Sequence, residues 1–307
     1  MAFQRTLRQA VQAVGVGLHS GVRARLRILP AEPDTGIVFR RTDLPDPRPI
    51  PARIEYVCDG TLATTLEREG QRVGTVEHLL AALAGLGIDN ALVELDGPEV
   101  PILDGSAAPF VFLLRAAGMR ELAAPRPCLE LILPVEVVED GRRARLEPCP
   151  DFEVSFTIDF DHPLGRGDCA RASVTVDPES FAAEIARART FGFARDVEAL
   201  RACGLILGGS LDNAILLGER TVLNPEGLRR PDELVRHKIL DAIGDLALLG
   251  ALLRARYIGD RAGHRLNHRL LRSLLARPEA FRWVVPAGGT GLQAAGDPGR
   301  LARSGVF

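Results

Sequence analysis

The sequence predicts an α+β protein of two domains. In each half of the 307-residue chain, alternating apolar stretches that read as strands are mixed with helical patterns, without a regular strand-helix-strand repeat. That mixture favours mainly antiparallel sheets packed with helices over a doubly wound sheet. A composition break, A-A-P-R-P at Ala123 to Pro127, separates residues 1–124 from 128–285, with a Gly-rich tail at 286–307. The turn G-V-G-L-H-S-G at Gly15 to Gly21 has Ser20 where a dinucleotide fingerprint needs its third glycine, and no strand-helix unit with a following acid accompanies it.

The elements follow in order. Val22, Ala24, Leu26 and Ile28 alternate with polar residues and predict a strand ending near Leu29. Pro30 to Pro51 reads as loop, with a short strand at Gly36 to Arg40. T-V-E-H-L-L-A-A-L-A-G-L-G-I-D-N begins a helix, with Thr75 as N-cap and Gly85 or Gly87 as stop, and Ala91 to Leu95 follows as a strand. Asp104, Gly105 and Ser106 turn into an apolar helix over about Ala107 to Ala117.

Beyond the break, Leu129 to Val138 and Arg143 to Leu146 flank Asp140-Gly141, a hairpin turn signal. Phe152 to Phe160 alternates as another strand, and Pro178 to Arg189 predicts a helix. The tail from Pro286 is expected to be mobile.

Composition narrows the class. Hydrophobic residues make up 46% and charged residues 25% of the chain, as in ordinary globular proteins, and a net charge of -2 leaves no footprint for nucleic acid. Cys58, Cys128, Cys149, Cys169 and Cys203 are odd in number and far apart, which points to a reducing compartment. With neither a secretory signal nor an apolar run of about 18 residues, the expected location is the cytoplasm, with no transmembrane segment. A monomer is expected.

The chemistry centres on the stretch ending at Arg254, E-L-V-R-H-K-I-L-D-A-I-G-D-L-A-L-L-G-A-L-L-R. On a helical wheel Val235, Ile239, Ala242, Leu246 and Leu249 form an apolar stripe, while His237, Asp241 and Asp245 recur at i, i+4 and i+8 on another face. A buried helix seldom carries an imidazole and two carboxylates on one line without partners. Residues four apart lie within about 5–6 Å, so His237 and Asp241 reach one ion, and a nitrogen with a hard oxygen suits zinc. The alternative is a satisfied core histidine beside a surface aspartate.

In the first half, Glu77 and His78 are adjacent on a helix and about 100° apart, so His78 can bind a metal while Glu77 faces its water as general base. A solvated charge in a first helical turn is the plain alternative for Glu77. His264 reads as a loop histidine in G-D-R-A-G-H-R-L-N-H, where its neighbour His268 is equally suited to exposure. Lys238 reads equally as a snorkelling surface lysine.

These strings together resemble the UDP-3-O-acyl-N-acetylglucosamine deacetylases, zinc-dependent enzymes of the committed step of lipid A biosynthesis. The resemblance spans nearly the whole chain. It rests on Q-R-T-L at Gln4, G-V-G-L-H-S-G, F-R-R-T-D-L at Phe39, T-V-E-H-L, P-I-L-D-G-S-A-A-P-F-V, T-I-D-F-D-H-P, A-R-T-F-G-F, G-G-S-L-D-N-A, V-R-H-K-I-L-D-A-I-G-D-L and A-G-H-R-L-N-H. It implies two α+β domains with the active site at their interface and an acyl passage from an insert in the second.

The resemblance also implies roles. His78, His237 and Asp241 would hold zinc, with Fe(II) as the alternative ion for such ligands, and Glu77 would be the base. His264, oriented by Asp245, would be general acid or electrostatic support, and Thr190 would donate to the oxyanion. Lys238 would meet the substrate phosphate, Phe160 would stack on uracil, and Phe191, His19 and Leu18 would lie near the hexose and phosphates. Ala194, Val197 and Leu200 would line the acyl passage. Ala63 stands where some relatives have a cysteine near the metal. The implied substrate is the small molecule UDP-3-O-acyl-N-acetylglucosamine. The alternatives are a zinc amidase for another N-acyl sugar and a non-catalytic nucleotide-sugar or lipid-binding protein.

Overall fold

The computed structural model describes residues 3–284; the Gly-rich tail, and with it the expectation of mobility, lies outside the described residues. The fold is α+β, with mainly antiparallel sheets and helices packed against them.

In the first half, a five-stranded sheet runs in the order Val11–Val16, Arg23–Pro30, Ala91–Leu95, Ile37–Arg41, Pro49–Pro51. Its pairs are antiparallel except Ile37–Arg41 with Ala91–Leu95. The alternation read in the sequence turns Ala24, Leu26 and Ile28 inward, whereas Val22 precedes the strand and is exposed. Phe3–Leu7 pairs with Met119–Pro125, so the start of the chain closes onto the end of this half.

In the second half, the nine-residue strand Leu252–Asp260 is the centre of a seven-stranded sheet. Residues 252–254 pair with Cys128–Leu131, and residues 255–260 lie between Phe152–Thr157 and Arg142–Glu147. Among the described residues, no strand pairing joins a segment before residue 126 to one after it. The hydrophobic core nevertheless runs through both halves.

The two halves meet through a pair of helices, Glu77–Leu86 and Glu233–Leu246. Every residue of the first except Ala84 is buried, as is every residue of the second except Lys238. Their close approach depends on Gly244: a Cβ there would lie 2.1 Å from the Glu77 carbonyl oxygen. Any side chain at this position collides with backbone.

Several expectations are corrected. Thr75 is not an N-cap. Its φ is +54° and its hydroxyl donates to Glu99 Oε1 at 2.7 Å, so the cap position falls to Val76. Gly87, with φ +70°, ends that helix as expected. Leu129–Val138 divides into Cys128–Leu131 and Val135–Glu139, because Pro134 and its exposed neighbours Ile132 and Leu133 interrupt the ladder. The hairpin at Asp140-Gly141 forms with both residues at positive φ, as a tight two-residue turn requires.

Pro178–Arg189 is a single capped turn, Pro178–Ser180, followed by a wide turn over Phe181–Ile185. The second long helix stops at Leu246; Ala247–Leu249 forms a tighter turn, Gly250 takes a φ of +68°, and Leu252–Arg254 already belongs to a strand. His264 is the first residue of the helix His264–Leu275 rather than a loop residue, and His268 is buried.

Candidate metal centre and active site

The helix pair brings Glu77 and His78 against His237, Asp241 and Asp245. His78, His237 and Asp241 offer ligand atoms within 4.8 Å of one another, all buried. Asp241 Oδ1 lies 3.3 Å from His237 Nε2 and 3.6 Å from His78 Nε2. A tetrahedral ion with bonds of about 2.0–2.1 Å separates its ligands by about 3.3–3.4 Å. The spacing therefore fits a small divalent cation.

Two further observations support that fit. Asp241 Oδ1 is buried without a hydrogen-bond partner, a state that costs about 1–3 kcal/mol or more for a charged group. His237 Nδ1 lies 3.1 Å from the Ala188 carbonyl, which accepts its proton and leaves Nε2 with a free lone pair facing Asp241. Burial pushes the His237 imidazole down to about 3, against the pull of Asp241, so it is neutral as a ligand must be. Burial alone would raise the Asp241 carboxyl, but the Lys238 ammonium, with the protonated His264, outweighs it and holds it well below the usual carboxylate range. His78 is held by an edge contact with the His237 ring, with centroids 5.0 Å apart.

Beside these ligands stands a second cluster. Glu77 Oε2 accepts the Thr64 backbone N–H at 3.0 Å, and Oε1 lies 3.9 Å from His264 Nε2. Burial pushes the Glu77 carboxyl up, partly offset by His264 and His78. His264 Nδ1 is 2.9 Å from Asp245 Oδ2, which also accepts from Asn267 Nδ2 at 2.8 Å. Asp245 Oδ1 accepts the Thr64 hydroxyl at 2.7 Å and lies 3.4 Å from His268 Nε2. A carboxylate with this many donors stays ionised in the core.

Lys238 is not a free surface lysine: Nζ donates to Asp241 Oδ2 at 2.6 Å and lies 5.6 Å from the centre of the Phe191 ring. Phe191 in turn sets its edge against His237, at 6.1 Å, and against Phe160, at 5.4 Å. The backbone of Thr190 is pinned on both sides, its N–H to Gly105 O and its carbonyl to Ile215 N–H, each at 2.8 Å. His19 and Leu18 lie in a turn whose N–H groups at His19 and Ser20 donate to the buried Glu99 carboxylate. The carbonyls of Leu18 and His19 accept from Gly208 and Leu207. Ala194 opens a short turn before the helix Val197–Ala202, on which Val197 and Leu200 are half-buried.

The model of the LpxC family, UDP-3-O-acyl N-acetylglycosamine deacetylase, matches residues 4–276. The chain belongs to this family. It is 55% identical over 284 residues to the UDP-3-O-acyl-N-acetylglucosamine deacetylase of Myxococcus xanthus (strain DK1622), a match covering 92% of this chain and 90% of the relative. It is 53% identical to the enzyme of the same name from Pseudomonas entomophila (strain L48), covering 92% and 94%. The match to that of Methylococcus capsulatus (strain ATCC 33009 / NCIMB 11132 / Bath) is 52% over 92% and 93%.

For this member of the deacetylase family, the structure adds Thr64, Gly244, Asn267 and His268 to the residues that reading the sequence singled out around the centre. Only the run A-G-H-R-L-N-H carried a signal for two of them, since His264, Asn267 and His268 stand at helical spacing on one face.

The His264–Asp245 pair predicts a pH dependence for the metal-free protein. Burial alone would lower the His264 imidazole, but the Asp245 charge and hydrogen bond outweigh it, with help from Glu77 and Asp241, and push it up to about 10. The native state therefore holds this proton where the unfolded chain, titrating near 6.5, has lost it. That stability is fully present below pH 6.5 and is lost as pH rises toward about 10. Burial would likewise raise the Asp245 carboxyl, but His264 and His268 hold it far below 3.8, so its contribution is present above pH 3.8 and is lost on acidification. Urea midpoints of Asp245→Asn are expected to show a much shallower decline between pH 6.5 and 10 than wild type. Parallel curves would contradict the pairing.

Proposed function

We propose that this protein is a metal-dependent amidohydrolase that removes the acetyl group from the acetamide of UDP-3-O-acyl-N-acetylglucosamine, yielding acetate and UDP-3-O-acyl-glucosamine at the committed step of lipid A biosynthesis. The observation that carries this reading is the unpartnered Asp241 Oδ1, between two imidazoles and beside Glu77 and the buried His264–Asp245 pair. The family and its named relatives point to the same reaction.

We assign zinc to His78, His237 and Asp241, with Fe(II) as the alternative ion. Bound there, zinc supplies Lewis-acid polarisation of the acetamide carbonyl and lowers the pKa of water from about 15.7 toward about 7. Glu77 takes the proton of the attacking water through Oε1, the oxygen not held by Thr64. Its raised pKa makes it a better base than an exposed glutamate at neutral pH. His264 enters the reaction protonated and presents its positive charge to the developing oxyanion and the leaving amine, with Asp245 fixing its ring. As the C–N bond breaks, nitrogen takes a proton, either the one Glu77 removed from water or that of His264, because an amide anion is a very poor leaving group.

The remaining roles follow from position. Thr190, on its pinned backbone, is assigned as hydroxyl donor to the oxyanion. Phe160 and Phe191, packed edge to face beside His237, are assigned to uracil and hexose, with His19 and Leu18 in the neighbouring turn. Lys238 is assigned to the substrate phosphate, its ammonium having two donors beyond the one given to Asp241. Val197, Leu200 and Ala194 are assigned to the acyl chain. We read residues 1–124 and 128–285 as two domains with the site between them, in a cytoplasmic monomer. No helix among the described residues is long and apolar enough to cross a membrane.

Purified protein is expected to release acetate from the 3-O-acylated substrate, to lose that activity on removal of metal by dipicolinate, and to regain it with zinc. The UDP sugar lacking its acyl chain is expected to react with kcat/KM at least about 100-fold lower, since remote binding is used in the transition state. A metal-replete sample inactive on the acylated substrate rules the assignment out. Equal rates with and without the chain favour an amidase of broader range.

A further inference from the structure

The Thr64 side chain and backbone are fully committed. Thr64 lies in the turn before the strand Thr65–Arg68 and has no solvent exposure. Its N–H donates to Glu77 Oε2 at 3.0 Å, and its carbonyl accepts from Val76 N–H at 3.3 Å, just ahead of the helix that begins at Glu77. Its hydroxyl lies 2.7 Å from Asp245 Oδ1 and 3.0 Å from His268 Nε2. Asp245 is ionised and only accepts, so the hydroxyl proton goes to Asp245, and the oxygen lone pair accepts the His268 Nε2 proton.

These bonds close a circuit. Glu77 Oε2 is held by Thr64, Thr64 holds Asp245, Asp245 holds His264 Nδ1, and His264 Nε2 returns to within 3.9 Å of Glu77 Oε1. One residue from the first half of the chain thus ties the carboxylate on one buried helix to the carboxylate on the other. No other donor to the Glu77 carboxylate is found by hydrogen bond among the described residues.

We propose that Thr64 is a positioning residue that sets the separation and orientation of Glu77 relative to the His264–Asp245 pair. The inference rests on the deacetylase reading for its rate effects, but the geometry it asserts is independent of substrate. Without the hydroxyl, Asp245 Oδ1 loses its shortest hydrogen bond and keeps only His264 Nδ1 at 3.1 Å and His268 Nε2 at 3.4 Å, so the carboxylate turns about its Cβ–Cγ bond. The His264 ring, whose Nδ1 meets both carboxylate oxygens, turns with it. The N–H bond to Glu77 survives a side-chain change, so the base stays anchored while its partner drifts.

The test compares Thr64→Val, which keeps the shape and removes the hydroxyl, with Thr64→Ser, which restores it. A misplacement of order 1 Å costs about 100-fold in rate. Thr64→Val is therefore expected to lower kcat by roughly 30- to 100-fold, with KM within about threefold and metal content equal to wild type, as for an interaction that matters only in the transition state. Thr64→Ser is expected to return kcat to within about threefold of wild type. If the valine variant does not fold, Thr64→Ala carries the same expectation.

A second readout does not use turnover. In zinc-loaded, 15N-histidine-labelled protein, the His264 Nδ1 proton resonance is expected to shift or broaden in Thr64→Val and to return in Thr64→Ser. Valine activity within threefold of wild type, or a loss confined to KM, overturns the proposal, as does an unmoved imidazole signal. Wild type that releases no acetate refutes the deacetylase reading instead, and Thr64 is then judged by the imidazole signal alone.

Discussion

Replacing Glu77 by glutamine is expected to lower kcat by about 10²- to 10⁴-fold, the usual worth of a positioned general base, while metal content and KM stay close to wild type. The amide has the size of the carboxylate and still accepts the Thr64 N–H, so the local hydrogen bonding survives. It has no oxygen basic enough to take a proton from water. Because Glu77 is not among the three grouped ligand residues, metal retention separates loss of a base from loss of the centre. The check is kinetics on the acylated substrate alongside metal analysis. Activity within tenfold of wild type places the base elsewhere, and loss of metal makes Glu77 part of the metal site.

Gly244→Ala is expected to have the largest effect on stability. The added methyl lies 2.1 Å from the carbonyl oxygen of Glu77, 2.8 Å from its carbonyl carbon and 2.9 Å from its Cα, all backbone atoms of a buried helix. No flexible side chain can yield, so the two helices must separate. Overpacking of this kind costs typically 1–3 kcal/mol, occasionally more, which corresponds to a fall in Tm of roughly 2–5 °C for a chain of this size. The displaced backbone belongs to Glu77 itself, so folded Gly244→Ala protein is expected to lose activity beyond what its stability predicts. Calorimetry and kinetics below the transition measure the two effects separately. A Tm within about 1 °C of wild type, about 0.6 kcal/mol for a chain of this size, shows that the interface absorbs a methyl group.

The fold was legible where local chemistry and tertiary demand agree. Ala91–Leu95 alternates because one face packs inward, and Asp140-Gly141 makes a tight turn with both residues at positive φ. Thr75 misled because a threonine ahead of a helix is a good N-cap locally, yet here a hydrogen bond to Glu99 from elsewhere in the chain decides its conformation. In the site, i and i+4 spacing sufficed to put His237 and Asp241 together on one helix face. That His78 joins them was carried by family resemblance alone, because two helices from different halves leave no mark of their contact in spacing.

Gly244 and Thr64 were invisible for the same reason. A glycine required by a neighbouring backbone looks like any other helical glycine, and a buried threonine bridging two carboxylates looks like a strand residue in D-G-T-L-A-T-T-L. His268 illustrates the opposite difficulty: its sequence neighbourhood suits exposure, but the helix His264–Leu275 turns it toward Asp245.

The strand Leu252–Asp260 has a consequence for biogenesis. It is the shared partner of strands that are synthesised much earlier, Cys128–Leu131, Arg142–Glu147 and Phe152–Thr157. On a ribosome adding about 5–20 residues per second, the roughly 120 residues between the first of these and Leu252 take on the order of 6–25 s. Throughout that interval the early strands have unpaired edges and uncovered apolar faces, and sheet pairing across such distances is intrinsically slow. The nascent second half therefore depends on its ribosomal and chaperone surroundings until its central strand emerges.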